Sequence, residues 1–158
     1  MKGDDRILKA LDDLLVEELT AINQYMVHSE MCANWGYERL HEKVEKRAIQ
    51  EMKHAEKLIA RILFLEGTPT VSRLNAIRIG ADVPKQIQSD LDAELTAVRT
   101  YNAAIRLAGE VGDAVTRELL EHILKDEDDH VDWLEAQRDQ ISKMGLAVYL
   151  STQTCECE

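Results

Sequence analysis

Apolar residues recur every three or four positions in four long stretches of this chain, and glycine or proline stands at the breaks between them. The first stretch carries Ile7, Leu8, Leu11, Leu14, Leu15, Ile22 and Met26, a 3.6-period stripe that predicts a helix over about Asp5 to Asn34. Trp35-Gly36 breaks it. A second stripe, from Leu40 and Val44 through Ala48, Ala55, Leu58 and Ile62 to Leu65, predicts a helix over about Glu38 to Leu65, stopped by Gly67 and Pro69. Asp82 followed by Pro84 reads as the start of a third helix, reaching about Glu110. Gly109 and Gly112 supply a short turn, and a fourth helix covers about Asp113 to Lys143. After Gly145 the apolar run Leu146 to Leu150 fits a brief fifth helix over about 146–151, too short to stand without docking. No period-2 alternation suggests a sheet.

The connections set the topology. A short turn leaves helices one and two antiparallel, as it does helices three and four. Residues 68–82 are long enough to run the length of a bundle and return the chain to the same end. Four long helices joined short, long, short describe an all-α four-helix bundle with one crossover, the arrangement of ferritin-like folds. The whole chain, 1–158, reads as one such domain.

Composition narrows the function. Lys plus Arg number 19 against 30 Asp plus Glu, a net charge of −11, which disfavours nucleic acid and anionic membrane as partners and suits cations as ligands. The N-terminus carries no apolar signal segment and no run is long enough to cross a bilayer, so a cytoplasmic location is expected. Three cysteines, Cys32 in a helix and Cys155 and Cys157 at the end, form no disulfide framework.

The two halves of the chain repeat each other at one offset. Glu18-Leu19-Thr20-Ala21 returns as Glu94-Leu95-Thr96-Ala97, Tyr25 as Tyr101, and Glu51-x-x-His54 as Glu127-x-x-His130, each 76 residues later (94 − 18 = 127 − 51 = 76). A lone Glu-x-x-His is common in helical sequence. Two copies in register, each 33 residues after a Glu on the preceding helix, are not a chance pattern. Residues three apart lie on one helical face, so each Glu and His can aim at one metal ion. Glu18 and Glu94 also fall on the apolar faces of their helices. Four inward carboxylates are costly unless neutralised, and without a cation some would take up protons through raised, coupled pKa values. Two divalent cations would balance four negative charges, and a donor set of carboxylates and imidazoles favours iron or manganese. A buried salt-bridge network is the alternative, with Arg47 and Arg99 as its nearest cationic candidates.

On Glu18, Glu51, His54, Glu94, Glu127 and His130 together with Met52, the chain resembles the bacterioferritins over essentially its full length. That resemblance implies a haem-containing ferritin: a hollow 24-subunit cage, built from dimers, that oxidises Fe(II) at an intrasubunit two-iron centre and stores ferric mineral. It implies that Glu18 and Glu94 are terminal carboxylates, that Glu51 and Glu127 bridge, and that His54 and His130 each ligate one iron. It further implies that Met52 is an axial ligand to a haem shared between two subunits, with Leu19, Asn23 and Met26 walling the pocket and a small ferredoxin as reductant. Tyr25, by its spacing from Glu18, belongs near the two-metal centre, and Trp133 stands three residues from His130. Lys46, Gln50 and Leu58 depart from residues found in some family members, which leaves an inner-surface iron relay unsupported. The rival reading is a dinuclear peroxidase or oxidase of the rubrerythrin or manganese-catalase kind. It lacks a C-x2-C pair here and leaves Met52 and the fifth helix unexplained.

Overall fold

A computed structural model describes residues 1–155; Cys157, half of the C-x-C ending, lies outside the described residues. The chain folds as an all-α four-helix bundle: α1 Asp5–Asn34, α2 Glu38–Phe64, α3 Val83–Glu110 and α4 Ala114–Met144, closed by a short α5 at Leu146–Ser151. These limits differ from the expected ones by about a residue, because Asp82 and Asp113 act as caps outside α3 and α4. The Asp82 carboxylate accepts from Lys85 N at 2.9 Å and that of Asp113 from Thr116 N at 3.0 Å, each satisfying a free first-turn amide.

Helix α1 packs along α2 and α3 along α4, with α1 also against α3. Two apolar clusters fill the interior. One gathers Leu11, Leu14, Leu15, Leu58, Ile62, Tyr101, Leu120 and Ile123, and the other Cys32, Leu40, Leu91, Leu134 and Tyr149. The inward Glu and His residues occupy the positions between these clusters on every long helix. The bundle is thus two greasy layers with a largely buried charged layer between them, where the charges are weakly screened.

Residues 65–82 contain no helix and are held by side chains of α1. Thr70 N donates to Asp12 Oδ1 at 2.8 Å, Asn75 N to Thr20 Oγ1 at 2.9 Å, Arg78 N to Gln24 Oε1 at 3.1 Å and Gly80 N to His28 Nε2 at 3.0 Å. The acceptors at positions 12, 20, 24 and 28 lie at multiples of four residues, hence near one face, and span about 24 Å of helix. An extended segment without sheet partners thereby finds acceptors for its amides. Gly80 is required by close approach, since a Cβ there would stand 2.3 Å from the backbone N of Gln86. His28 completes the anchor with its Nδ1 2.9 Å from Asp90 Oδ1, which also accepts from Gln24 Nε2 at 2.8 Å.

The fifth helix docks as expected for so short a segment. Tyr149 is buried and donates its hydroxyl to Gln137 Oε1 of α4 at 2.7 Å.

Candidate metal centre

Each of the four long helices contributes to the charged layer: Glu18 from α1, Glu51 and His54 from α2, Glu94 from α3, Glu127 and His130 from α4. Glu18, Glu51, Glu94 and Glu127 are at most 2% exposed. Their donor atoms form two overlapping groups able to hold a metal ion, Glu18-Glu51-His54-Glu127 and Glu51-Glu94-His130, with atoms within 4.8 Å of one another in each. Glu51 belongs to both. The repeat read in the sequence is thus one cluster in space, because the crossover brings the second half antiparallel pair alongside the first.

The hydroxyls of the repeated tyrosines cross between halves. Tyr25 of α1 donates to Glu94 Oε1, and Tyr101 of α3 donates to Glu18 Oε1 at 2.6 Å. Both fix a carboxylate by one oxygen and leave the other to face inward. Tyr25 also meets the His130 ring edge-on, with centroids 5.5 Å apart, and Trp133 stacks on that ring at 5.9 Å. His130 Nδ1 lies 2.9 Å from Glu94 Oε1. His54 Nδ1 lies 3.2 Å from Glu127 Oε1 and 3.3 Å from Glu51 Oε2, while its Nε2 reaches Asp126 Oδ2 at 2.9 Å.

Burial in a dry layer dominates the electrostatics. It raises the pKa of Glu18 to about 7, reinforced by the charge of Glu127 and offset in part by hydrogen bonds. Burial and mutual repulsion lift Glu51 and Glu127 well above the usual carboxylate range. Glu94 departs from the expected rise. Burial pushes it up, but its hydrogen bonds with Glu127 and His130 and the charges of His130 and Arg47 win and hold it well below the usual range. For His54, burial opposes the charged form, yet hydrogen bonds to Glu127, Glu18 and Glu51 push it up to about 12.

Of the two cationic candidates, only Arg47 enters the layer. Its Nη2 stands 2.6 Å from Glu51 Oε1, 2.8 Å from Glu127 Oε2 and 3.5 Å from Glu94 Oε2. Arg99 is exposed and donates instead to Thr96 Oγ1 at 3.2 Å. Even so, Glu18 Oε2, Glu51 Oε1 and Glu127 Oε1 are buried without a partner in hydrogen-bond geometry; Arg47 approaches Glu51 Oε1, and His54 Nδ1 approaches Glu18 Oε2 at 3.6 Å and Glu127 Oε1 at 3.2 Å, only as ion pairs. Unsatisfied inward oxygens on three helices, beside two imidazoles, are what hard divalent cations require. Asp126 was not foreseen in the sequence, being one of several acids in that stretch; its adjacency to Glu127 was the only available signal.

Two openings reach the carboxylates and Arg47 of the layer, and a third, of about 410 Å³, reaches His54. One of about 260 Å³, between α1, α3 and the crossover, is lined by Glu18, Glu51, Glu94 and Glu127 among others. The other, about 350 Å³, lies between α2 and α4 and is lined by Lys46, Arg47, Gln50, Asp126, His130 and Trp133.

Met52 stands apart from this cluster. It is 44% exposed on α2, as is Ile49, and Met26 of α1 is 51% exposed. Among the described residues no helix is long and apolar enough to cross a membrane.

A bundle of this connectivity with carboxylates and histidines projecting inward from all four helices defines the ferritin-like class, and the family model described as "Ferritin-like domain" matches residues 8–144. Several curated proteins are similar over nearly the full chain. The bacterioferritin of Brucella melitensis biotype 1 is 39% identical over 149 residues, covering 94% of this chain and 92% of that protein. The bacterioferritin of Rhodobacter capsulatus is 41% identical over 145 residues, covering 92% and 90% respectively. That of Mycobacterium avium is 40% identical over 149 residues, covering 94% of each. The chain belongs to the bacterioferritin family.

Proposed function

We propose that this protein stores iron, oxidising Fe(II) within each bundle and holding the ferric product as mineral inside a hollow homo-oligomeric cage. The observation that carries this reading is the pair of overlapping donor groups that share Glu51, buried and with oxygens left unpartnered. Glu18 and Glu94 act as terminal carboxylates, Glu51 and Glu127 bridge, and His54 and His130 each hold one ion. Fe(II) is the substrate: each ion gives up one electron, and two electrons with two protons reduce O2 to H2O2, or H2O2 to two waters. The chain's own part is to bind and orient. Tyr25 and Tyr101 steer Glu94 and Glu18, and the carboxylates release the protons they hold as cations enter.

Two iron ions per subunit fit the charge count, with four carboxylates against two divalent cations. The α1, α3 and crossover opening is a route by which Fe(II) reaches the donors from solvent. Met52, exposed beside Ile49 on α2 and free of the two-metal cluster, would hold a haem where two copies meet. A bound haem would supply one-electron transfer for iron release, with a small ferredoxin as reductant. A 24-subunit cage built from dimers and a cytoplasmic location complete the reading.

The test is direct. Anaerobic Fe(II) titration of the purified protein should saturate at two ions per subunit, and O2 addition should give ferric absorbance that keeps growing beyond that loading, in a very large particle. A monomer or dimer under all conditions would reject the cage. Loss of the Soret band in Met52→Leu with iron oxidation intact would support the haem site, and its retention would reject Met52.

A further inference from the structure

Arg47 has no counterpart in the other half of the bundle: 47 + 76 = 123, and position 123 is Ile, fully buried in the apolar core. Its guanidinium lies among Glu51, Glu94 and Glu127. Its shorter approaches, 2.6 Å to Glu51 and 2.8 Å to Glu127, fall on the Glu18-Glu51-His54-Glu127 group, and Glu94 at 3.5 Å belongs to the Glu51-Glu94-His130 group, so the guanidinium stands between the two donor groups, in space that a pair of cations would take. Glu18 Oε2 and Glu127 Oε1 lack a hydrogen bond and are approached by His54 Nδ1 at 3.6 and 3.2 Å.

Arg47 is poorly satisfied there. Its Nε is buried without an acceptor, and its Nη1 already turns toward the α2–α4 opening, donating to Gln50 Oε1 at 2.8 Å and to the Asp126 carbonyl at 3.1 Å. A buried ion pair kept for stability alone would use all its donors, since each orphan is costly. A side chain with one end in the charged layer and the other at an exit has the form of a movable counter-ion.

We infer that Arg47 is an internal stand-in for the second cation: it neutralises the metal-free layer and must swing into the α2–α4 opening before both metal positions fill. Loading is therefore stepwise: one ion enters beside the guanidinium, and the second needs Arg47 to leave. Filling of the second position draws Arg47 out and unblocks the α2–α4 side. This inference rests on the dinuclear reading of the layer.

The experiment uses the chelator-stripped assembly, titrated with Co(II) under anaerobic conditions and followed by visible absorption, with melting temperature measured in parallel. Wild type should bind two Co(II) per subunit in separated steps. In Arg47→Gln the second step should tighten by at least about tenfold, because the fraction of chains with that position open no longer limits it. The metal-free melting temperature should fall. An unchanged second step, or an unchanged or higher metal-free melting temperature, overturns the inference while leaving the dinuclear site standing. Failure of wild type to bind two Co(II) overturns the dinuclear reading and this inference with it. If Arg47→Gln does not assemble, Arg47→Lys decides: without the planar fork the grip on three carboxylates weakens, so the second step should tighten, and an unchanged one overturns the inference.

Discussion

The α1–α2 and α3–α4 halves carry the same ligand-bearing pattern in different surroundings. Glu18, Tyr25, Glu51 and His54 have their counterparts in Glu94, Tyr101, Glu127 and His130. The tyrosine bonds cross reciprocally, Tyr25 to Glu94 and Tyr101 to Glu18. Around that frame the residues diverge at the same 76-residue offset: Arg47 faces Ile123, Gln50 faces Asp126 and Lys57 faces Trp133. The consequence is electrical. Glu94 is held ionised, against burial, by hydrogen bonds with Glu127 and His130 and by the charges of His130 and Arg47, whereas Glu18, with burial and the charge of Glu127 against it, rises to about 7. Donors are duplicated, and charge compensation is not.

The strongest way to break the comparison is to remove a bridging carboxylate from either half. Glu51→Gln and Glu127→Gln should each lower the rate of Fe(II) oxidation, read as ferric absorbance after mixing with O2, by about 100- to 1,000-fold. If one variant keeps near wild-type rates while the other fails, the halves are not equivalent and the bridging assignment is wrong for the survivor.

A second difference lies outside the charged layer, since α1 carries the crossover and α3 does not. His28→Ala removes the acceptor of Gly80 N and the partner of Asp90. Leaving the buried Gly80 amide unpaired, with Asp90 reduced to its bond from Gln24, should cost about 1–3 kcal/mol of stability, measurable as a melting temperature lowered by several degrees, roughly 2–4 °C per kcal/mol for a chain of this size. An unchanged melting temperature would mean that the strap on α1 is ornamental to folding.

The metal-free protein gives a pH test of the charge asymmetry. Glu18 binds its proton more tightly folded, near 7, than in an unfolded chain near 4.5, so the folded state carries more protons between those values and stability falls as pH rises through them. Glu51 and Glu127, also raised, extend the decline to higher pH. His54 acts in the same direction: raised to about 12, it keeps its proton where an unfolded histidine loses it near 6.5. Through Glu18 alone the chelated protein should lose on the order of 2 kcal/mol between pH 5 and 7.5, with the other three groups adding to it, and the metal-loaded protein should lose less. A metal-free melting temperature that rises over this range would contradict the ordering of these groups.

How much of this was legible in the sequence follows from the same distinction. The helices were, because Leu11, Leu14, Leu15, Leu58, Ile62 and Leu120 keep a 3.6 period and glycine or proline interrupts it only at breaks. The convergence of Glu18, Glu51, His54, Glu94, Glu127 and His130 was also readable, because a duplicated spacing on apolar faces leaves few other arrangements. The path of the crossover was not. Its partners on α1, Asp12, Thr20, Gln24 and His28, are ordinary polar residues until a loop is laid against them. Nor was the choice between Arg47 and Arg99 readable: both lie on long helices near the ligands, and only packing decides that the first points in and the second out.

The finest test concerns the tyrosines. If they act only by holding Glu94 and Glu18, Tyr25→Phe and Tyr101→Phe should be near equals, each weakening metal affinity by about tenfold, as outer-shell partners commonly do. Each loses one buried hydroxyl bond to one terminal carboxylate. Tyr25, however, also meets the His130 ring, which in turn stacks on Trp133, whereas position 57, the counterpart of Trp133, is Lys. An aromatic run of three beside one donor group, with no such run at the other among the described residues, gives the two tyrosines different surroundings. Measured as Co(II) affinity the two variants should agree within a few-fold. Measured as Fe(II) oxidation with affinity held saturating, Tyr25→Phe should be the slower if the ring donates an electron, and equal rates would reduce both tyrosines to positioning groups.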